Sequence, residues 1–307
     1  MSPALKREAV DYIRDKHQVS ERRACNLAGL WRSIQRYRSI LSEPDGFRKR
    51  MLELASLRPR FGYPRIHVLL RRDGFMVNKK RTYRIYREEE LQVRRKRRKR
   101  VSAAPREAKP VPDRPHKRWS MGFVSDSLHN GRKIRVLNVI DDCTRVCVAM
   151  EVAHSISGER VGRTLDRAAA KYGWPETIVV DNGPEFTSKA LDLWAWERGI
   201  KLHFITPGRP VENCYVESFN GKFRNECLSE SWFTSLDHAR EIIRDWRDDY
   251  NQVRPHQSLG HQTPEQYELS LSSGSPLRGS PPERLIALIP AENRRLNYKS
   301  QSCKVQE

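Results

Sequence analysis

The chain has 307 residues, 37% of them hydrophobic and 31% charged, with a net charge of +20, a length that suggests two domains at about 150 residues each. No apolar run approaches the roughly 20 residues that span a bilayer, which excludes an integral membrane protein. The charged opening MSPALKREAVDYIRDKHQ lacks the apolar stretch of a signal peptide, and six cysteines in a chain this long fit free thiols in a reducing cytoplasm better than a disulfide framework.

The charge is unevenly placed. Residues 1–118 carry 34 Lys/Arg against 13 Asp/Glu, and residues 119–307 carry 24 against 25. A near-neutral body behind a basic front points to a polyanion partner, nucleic acid first.

In chain order, Leu5, Ala9, Val10 and Ile13 form the loose apolar stripe of a first helix. Ser20 is placed to cap a helix over Glu21–Leu27, Gly29 turns the chain, and a second short helix covers about 33–38. Two short helices around a glycine turn make a helix-turn-helix over residues 1–44. In it Arg32, Ser33, Gln35 and Arg36 would face DNA. The same pattern also serves a plain helical hairpin with a solvated basic face.

A second helix-turn-helix-like module is expected over 45–93. A helix over 48–57 is broken at 60–64, and a helix over 65–73 has Ile66, Leu69 and Leu70 on one face. Gly74 ends it, and Asn78 caps a third helix with Lys79, Lys80 and Arg81 on its basic side. Residues 94–118 then read as a linker. Its seven consecutive cations, Arg94, Arg95, Lys96, Arg97, Arg98, Lys99 and Arg100, would grip a phosphate backbone without reading sequence.

The texture changes at Trp119. Alternating runs over 119–126, 133–141 and 145–152 predict an antiparallel meander. A helix over 157–172, a strand at Thr177–Val180, a helix over 188–198, a strand over 201–205 and a helix over 213–228 follow. The order βββαβαβα gives an α/β domain, a mixed sheet flanked by helices, over 119–269. A further helix covers 237–250, and the Ser/Pro/Gly-rich tail 270–307 is expected to form no stable core.

Two carboxylates carry the chemistry. Asp181 ends the buried strand TIVVD, where a ligand-facing group belongs, although Asp-Asn-Gly is also an ordinary turn opener. Glu217 follows on a helix, with 35 residues between the two acids and with Asn213 and Asn220 near its face. Asn182 and Asn213 are candidates to orient the two acids. Lys222 and Arg224 follow Glu217 and would either hold phosphate or form a solvated basic face. Cys143 and Cys147 share one strand without zinc-like partners and read as core.

The segments VIDDCTR (139–145), SISGER (155–160), VVDNGPEF (179–186), TPGRPVENCYVESFNGKFRNECL (206–228) and RPHQSLG (254–260) closely resemble OrfB, the catalytic subunit of the insertion-sequence-three family of bacterial transposases. FGYPRIHVLLRRDG (61–74) resembles that family's helix-turn-helix region. The resemblance covers essentially residues 1–270. It implies a ribonuclease-H-like core in which Asp181 and Glu217 are the last two members of a catalytic carboxylate triad. That triad would hold two Mg²⁺ ions, with Mn²⁺ able to substitute, for DNA cleavage and strand transfer. It also implies double-stranded DNA as partner (element ends and target), an OrfA partner or fusion, and an oligomer on DNA. The family's first Asp stands in a Trp-x-x-Asp-Phe context, but here the run is Trp119-Ser120-Met121-Gly122-Phe123. Glycine offers no ligand, so impaired catalysis is expected unless Asp126, Asp141 or Asp142 substitutes. The competing readings are a catalytically inactive DNA-binding protein that occupies or poisons transposition complexes, and a nuclease of the same fold that hydrolyses without joining.

Overall fold

A computed structural model describes residues 3–37, 46–93, 111–207 and 210–272. The cation run at 94–100 and the tail beyond 272 lie outside the described residues. The chain divides into two compact units, residues 1–47 and 48–307.

In the first unit, α1 (Pro3–His17), α2 (Glu21–Leu27) and α3 (Arg32–Arg36) enclose Val10, Ala24, Cys25 and Leu30. The Ser20 side chain caps α2 by accepting from the Arg23 amide. Gly29 takes φ +59° between α2 and α3, a left-handed conformation that glycine adopts without strain. The expected helix, turn and helix are therefore present, with the last helix starting one residue and ending two residues earlier than its pattern suggested.

The second unit opens with α4 (Phe47–Leu57), α5 (Tyr63–Arg72) and α6 (Lys79–Glu88). Pro64 does not break a helix here. It sits in the first turn of α5, where a missing N–H removes no helical bond. Asn78 caps α6 by accepting from the Lys80 amide at 2.9 Å.

Five strands follow: β1 (Arg118–Ser127), β2 (Lys133–Asp141), β3 (Cys147–Ala153), β4 (Thr177–Val180) and β5 (Lys201–Phe204). They form one sheet in the order β3-β2-β1-β4-β5, antiparallel across β3-β2-β1 and parallel across β1-β4-β5. Helices α7 (Gly158–Tyr172) and α8 (Lys189–Glu197) connect β3, β4 and β5, and α9 (Cys214–Glu226), α10 (Leu236–Gln252) and α11 (Pro264–Ser272) follow. This is the mixed sheet with flanking helices that the resemblance implied.

Each face of the sheet has its own apolar core. Trp119, Met121, Leu137, Ile178 and Val180 pack with Val161 and Leu165 of α7 and Leu191 of α8. Val124, Val136 and Ile140 pack with Val216, Phe219 and Phe223 of α9 and Ile243 and Tyr250 of α10. Because side chains alternate along a strand, this division fixes which residues of β1 and β4 face α9. No helix among the described residues is long and apolar enough to cross a membrane.

Candidate active site

Trp119 and Met121 point to the α7/α8 core, so Ser120, Gly122 and Val124 point to α9. A Cβ at Gly122 would stand 3.5 Å from Val216 Cγ1 and 3.5 Å from Asn220 Nδ2, both on α9. That is ordinary van der Waals contact. Position 122 therefore has room for a side chain, aimed at the helix that carries Glu217.

The parallel pairing of β1 with β4 sets Ser120 beside Val179. Continued two residues past the last paired position, that register would set position 122 level with Asp181 on the same face. Asp181 lies just past β4 and is half-buried, and its Oδ1 accepts from the Gly183 amide at 2.9 Å. A side chain at 183 would push the Asp181 carboxylate aside. A Cβ there would lie 2.9 Å from Asp181 Oδ1 and 3.4 Å from Glu185 Oε2.

Glu217 stands in the first turn of α9, one residue past Val216. Burial raises its carboxyl above the usual carboxylate range. Position 122 thus faces the helix turn that carries Glu217, and Asp181 follows the strand that pairs with β1.

The asparagines tie this arrangement to backbone. Asn182 donates to the Ile205 carbonyl at 3.0 Å, linking the ends of β4 and β5. Asn213 donates to the Met121 carbonyl at 3.2 Å, holding the start of α9 against β1 next to Gly122. Asn138 was not singled out from the sequence, although a polar residue inside KIRVLNVID was the available signal. It pairs directly across from Gly122, is fully buried, and donates to Asn220 Oδ1 at 2.7 Å. Among the described residues, the Oδ1 atoms of Asn138 and Asn213 have no hydrogen-bond partner. Two buried acceptors left unmet mark a locale whose polar groups are incompletely satisfied.

Each of the three possible substitutes is engaged by other groups. Asp126 is four residues along the strand, about 13 Å away, and its Oδ1 accepts from the Ser127 amide. Asp141 pairs with Trp119, three residues from position 122, and its oxygens accept from the His116 amide and from the Thr144 amide and hydroxyl at 2.7–2.9 Å. Asp142 is held by Arg118 at 2.6 Å and Ser120 at 2.5 Å, and burial raises its pKa despite both. Among the described residues, no group of three or more His, Cys, Asp or Glu is placed to hold a metal ion. Cys143 and Cys147 are buried, with their thiols pushed up by desolvation, consistent with core positions.

The basic candidates are in several places. Arg224 is seven residues past Glu217, about 20° round the helix from it and so on the same face; it is exposed. Lys222, five residues past, is about 140° away and faces α5 and the 254–261 loop instead. In the first unit Arg32 and Ser33 are exposed, while Gln35 donates to Asp11 at 2.8 Å and Arg36 forks onto Glu21. On α6, Lys79 and Lys80 are exposed, Arg81 is half-buried, and Lys79 lies 6.0 Å from the Tyr63 ring centre.

Residues 112–210 and 198–264 match integrase core domains, and residues 45–99 match an HTH-like domain. The chain is 49% identical to the 31.7 kDa protein of insertion element IS407 from Burkholderia multivorans over 256 residues, covering 83% of this chain and 92% of that one. It is 47% identical to the 39.2 kDa protein of insertion element IS476 from Xanthomonas euvesicatoria, covering 87% of this chain and 78% of that one. A more distant relative is the putative transposase InsK of IS150 from Escherichia coli, 26% identical over 74% of this chain and 85% of that one. With its integrase core behind an HTH-like domain and its strong identity to these proteins, the chain belongs to the insertion-element transposase/integrase family of DDE polynucleotidyl transferases.

Proposed function

We propose that this chain binds the terminal inverted repeats of an insertion element, and that its own catalytic centre cleaves and joins DNA weakly or not at all. The observation that supports this reading is Gly122 facing Val216 and Asn220 of α9, beside Glu217, on the strand that pairs with the one preceding Asp181. In the two-metal chemistry of this family, Mg²⁺ or Mn²⁺ ions are clamped between three carboxylates and polarise the phosphate under attack. The residues present do not fit that clamp. With one ligand missing and Asp126, Asp141 and Asp142 each held by other partners, the mutual repulsion of two divalent cations is poorly offset.

DNA binding rests on the helical front and on its charge. Arg32 and Ser33 on α3, with Gln35 and Arg36 able to exchange their internal partners for DNA, suit base readout. Lys79, Lys80 and Arg81 on α6, the run Arg94 to Arg100, and Arg224 beside Glu217 suit phosphate contacts. Asn182 and Asn213 act as positioning residues through the backbone they hold. The chain works in the bacterial cytoplasm, oligomeric on DNA and with an OrfA-type partner. A chain that binds ends without joining them would occupy transposition complexes and block active copies, which is the second reading that Gly122 favours.

Binding and metal capture can be tested separately. In EDTA, the parent chain should hold an inverted-repeat duplex against a scrambled competitor. Calorimetric titration with Mn²⁺ should then give a two-ion site in Gly122→Asp and no such site in the parent. Equal retention of both duplexes would overturn the end-binding reading, and a two-ion site in the parent would overturn the incomplete centre.

A further inference from the structure

A cavity of about 470 Å³ lies between the start of α5, the far face of α9 and the 254–261 loop, within the size range of small-ligand sites. Its lining includes Arg65 from the helical module, Lys222 from α9, and Arg254, Gln257, Ser258 and His261 from the loop. The catalytic pair is not part of it.

The charges in this cavity do not balance locally. Glu226 accepts from Arg254 Nε and Nη2, both at 2.7 Å, and from Arg65 Nη1 at 3.1 Å. One carboxylate is therefore shared by two guanidinium groups. Lys222 is half-buried beside them and has no hydrogen-bond or ion-pair partner among the described residues. Desolvation and the nearby Arg254 push its amine down to about 8. An ammonium held in this way is stabilised by any anion that enters the cavity. His256 is held neutral by burial and the same cations, so it adds no charge of its own. Gln257 and Ser258 are exposed at the rim and supply neutral donors. His261 takes φ +69° and its amide donates to the His256 carbonyl at 2.8 Å, which closes the loop at the cavity's edge.

The two sides of the cavity come from different parts of the unit, and arginines fasten them together. Arg58 pairs with Asp249 of α10, Arg60 bonds Glu230 at 2.6 Å, and Arg72 donates to the Val253 and His261 carbonyls at 2.6 and 3.1 Å. An anion in the cavity would thus be gripped by the helical module and the core together.

We infer that this cavity is a phosphate subsite in which Lys222 and Arg65 hold one backbone phosphodiester of bound DNA, on the face of α9 turned away from Glu217. A phosphodiester suits it because it carries one negative charge and several acceptor oxygens. This inference rests on the DNA-binding reading above. A free phosphate offers the same chemistry, so the experiment separates the two sources.

The test uses the full chain and Lys222→Gln, a change that removes a charge without unpairing another residue. Lys222→Arg serves as the conservative control, and thermal melts confirm that both variants fold. Affinity for a duplex is measured across a salt series, and again with single methylphosphonate substitutions that neutralise one phosphate at a time. Loss of one phosphate contact should lower the slope of log affinity against log salt by about 0.9. We expect that change in Lys222→Gln and not in Lys222→Arg. One methylphosphonate position should weaken the parent and leave Lys222→Gln unaffected. An unchanged slope in Lys222→Gln, with the parent binding normally, overturns the subsite. If the parent binds no DNA, the DNA-binding reading itself fails, and titration with inorganic phosphate decides what remains. A melting shift in the parent that is absent in Lys222→Gln would keep the anion site and refute its DNA occupant. No shift in either chain would refute both.

Discussion

Replacing Glu226 with glutamine attacks the ion cluster that fastens the helical module to the core. Glu226 is 10% exposed and Arg254 2% exposed, so the pair sits away from solvent. Glutamine keeps the shape and still offers one carbonyl, but it leaves the Arg254 guanidinium enclosed without a counter-charge. Breaking a buried pair from one side costs about 3–5 kcal/mol, and the retained carbonyl places this case near 3 kcal/mol. For a unit of this size, about 2–4 °C per kcal/mol predicts a melting point lower by roughly 6–12 °C. The pH dependence has a definite sign. Burial pushes the Glu226 carboxyl up, but the Arg254 hydrogen bonds and the charges of Arg254, Arg65 and Lys222 outweigh it and leave it below the usual range. Its contribution is therefore complete above the unfolded carboxylate value of about 4.3 and is lost as pH falls through the lower folded value. Urea unfolding of the parent and Glu226→Gln at pH 7, and again at the lowest pH at which both fold, measures this directly. A loss under about 1 kcal/mol at pH 7, the range of exposed pairs, would refute the reasoning. So would a gap that stays constant into acid.

Further consequences follow from the same geometry. Gly183→Ala introduces a Cβ 2.9 Å from Asp181 Oδ1; in a Gly122→Asp background it should weaken Mn²⁺ binding at least tenfold by calorimetry, with little change in melting point. Asp142→Asn should leave joining by Gly122→Asp unaltered in a strand-transfer assay and cost about 1 kcal/mol, because Asp142 serves Arg118 and Ser120 rather than the catalytic gap. Cys143, Cys147 and Cys227 are buried, with thiols pushed up by desolvation (to about 11 for Cys143 and about 12 for Cys227), while Cys214 is half-exposed. Mass-spectrometric mapping of brief alkylation of the folded chain at pH 8 should find Cys214 modified and those three protected; early labelling of Cys147 would contradict the packing of β3.

Much of the core was legible because strand alternation and helix caps are local signals. Thr177–Val180 and Lys133–Asp141 form strands with the bounds that their patterns suggested, and Ser157 caps α7 through the Arg160 amide. That Asp181 and Glu217 serve one site is an expectation that rests on the family resemblance, since strand register is a long-range property. The fate of Asp141 and Asp142 was not readable at all, because it depends on partners such as His116 and Arg118 that the sheet brings together. Pro64 was misjudged because a proline that would disrupt a helix interior is harmless in a first turn. Helix α11 was missed because its apolar periodicity is weak and it borders the Ser-rich tail. The arginine cluster around Glu226 was hidden for a simpler reason. Arg65, Glu226 and Arg254 are scattered along the chain, and each alone looks like an ordinary surface charge.

The central claim is that Gly122 leaves an otherwise assembled centre one carboxylate short. It is tested most directly by strand transfer with an inverted-repeat oligonucleotide in Mg²⁺ and in Mn²⁺, comparing the parent, Gly122→Asp and Gly122→Asp with Glu217→Gln. A Cβ at 122 meets only ordinary contacts, so Gly122→Asp should fold and should join ends, while the parent and the Glu217→Gln double variant do not. Joining by the parent at the level of Gly122→Asp would show that another group completes the centre, and would contradict the account.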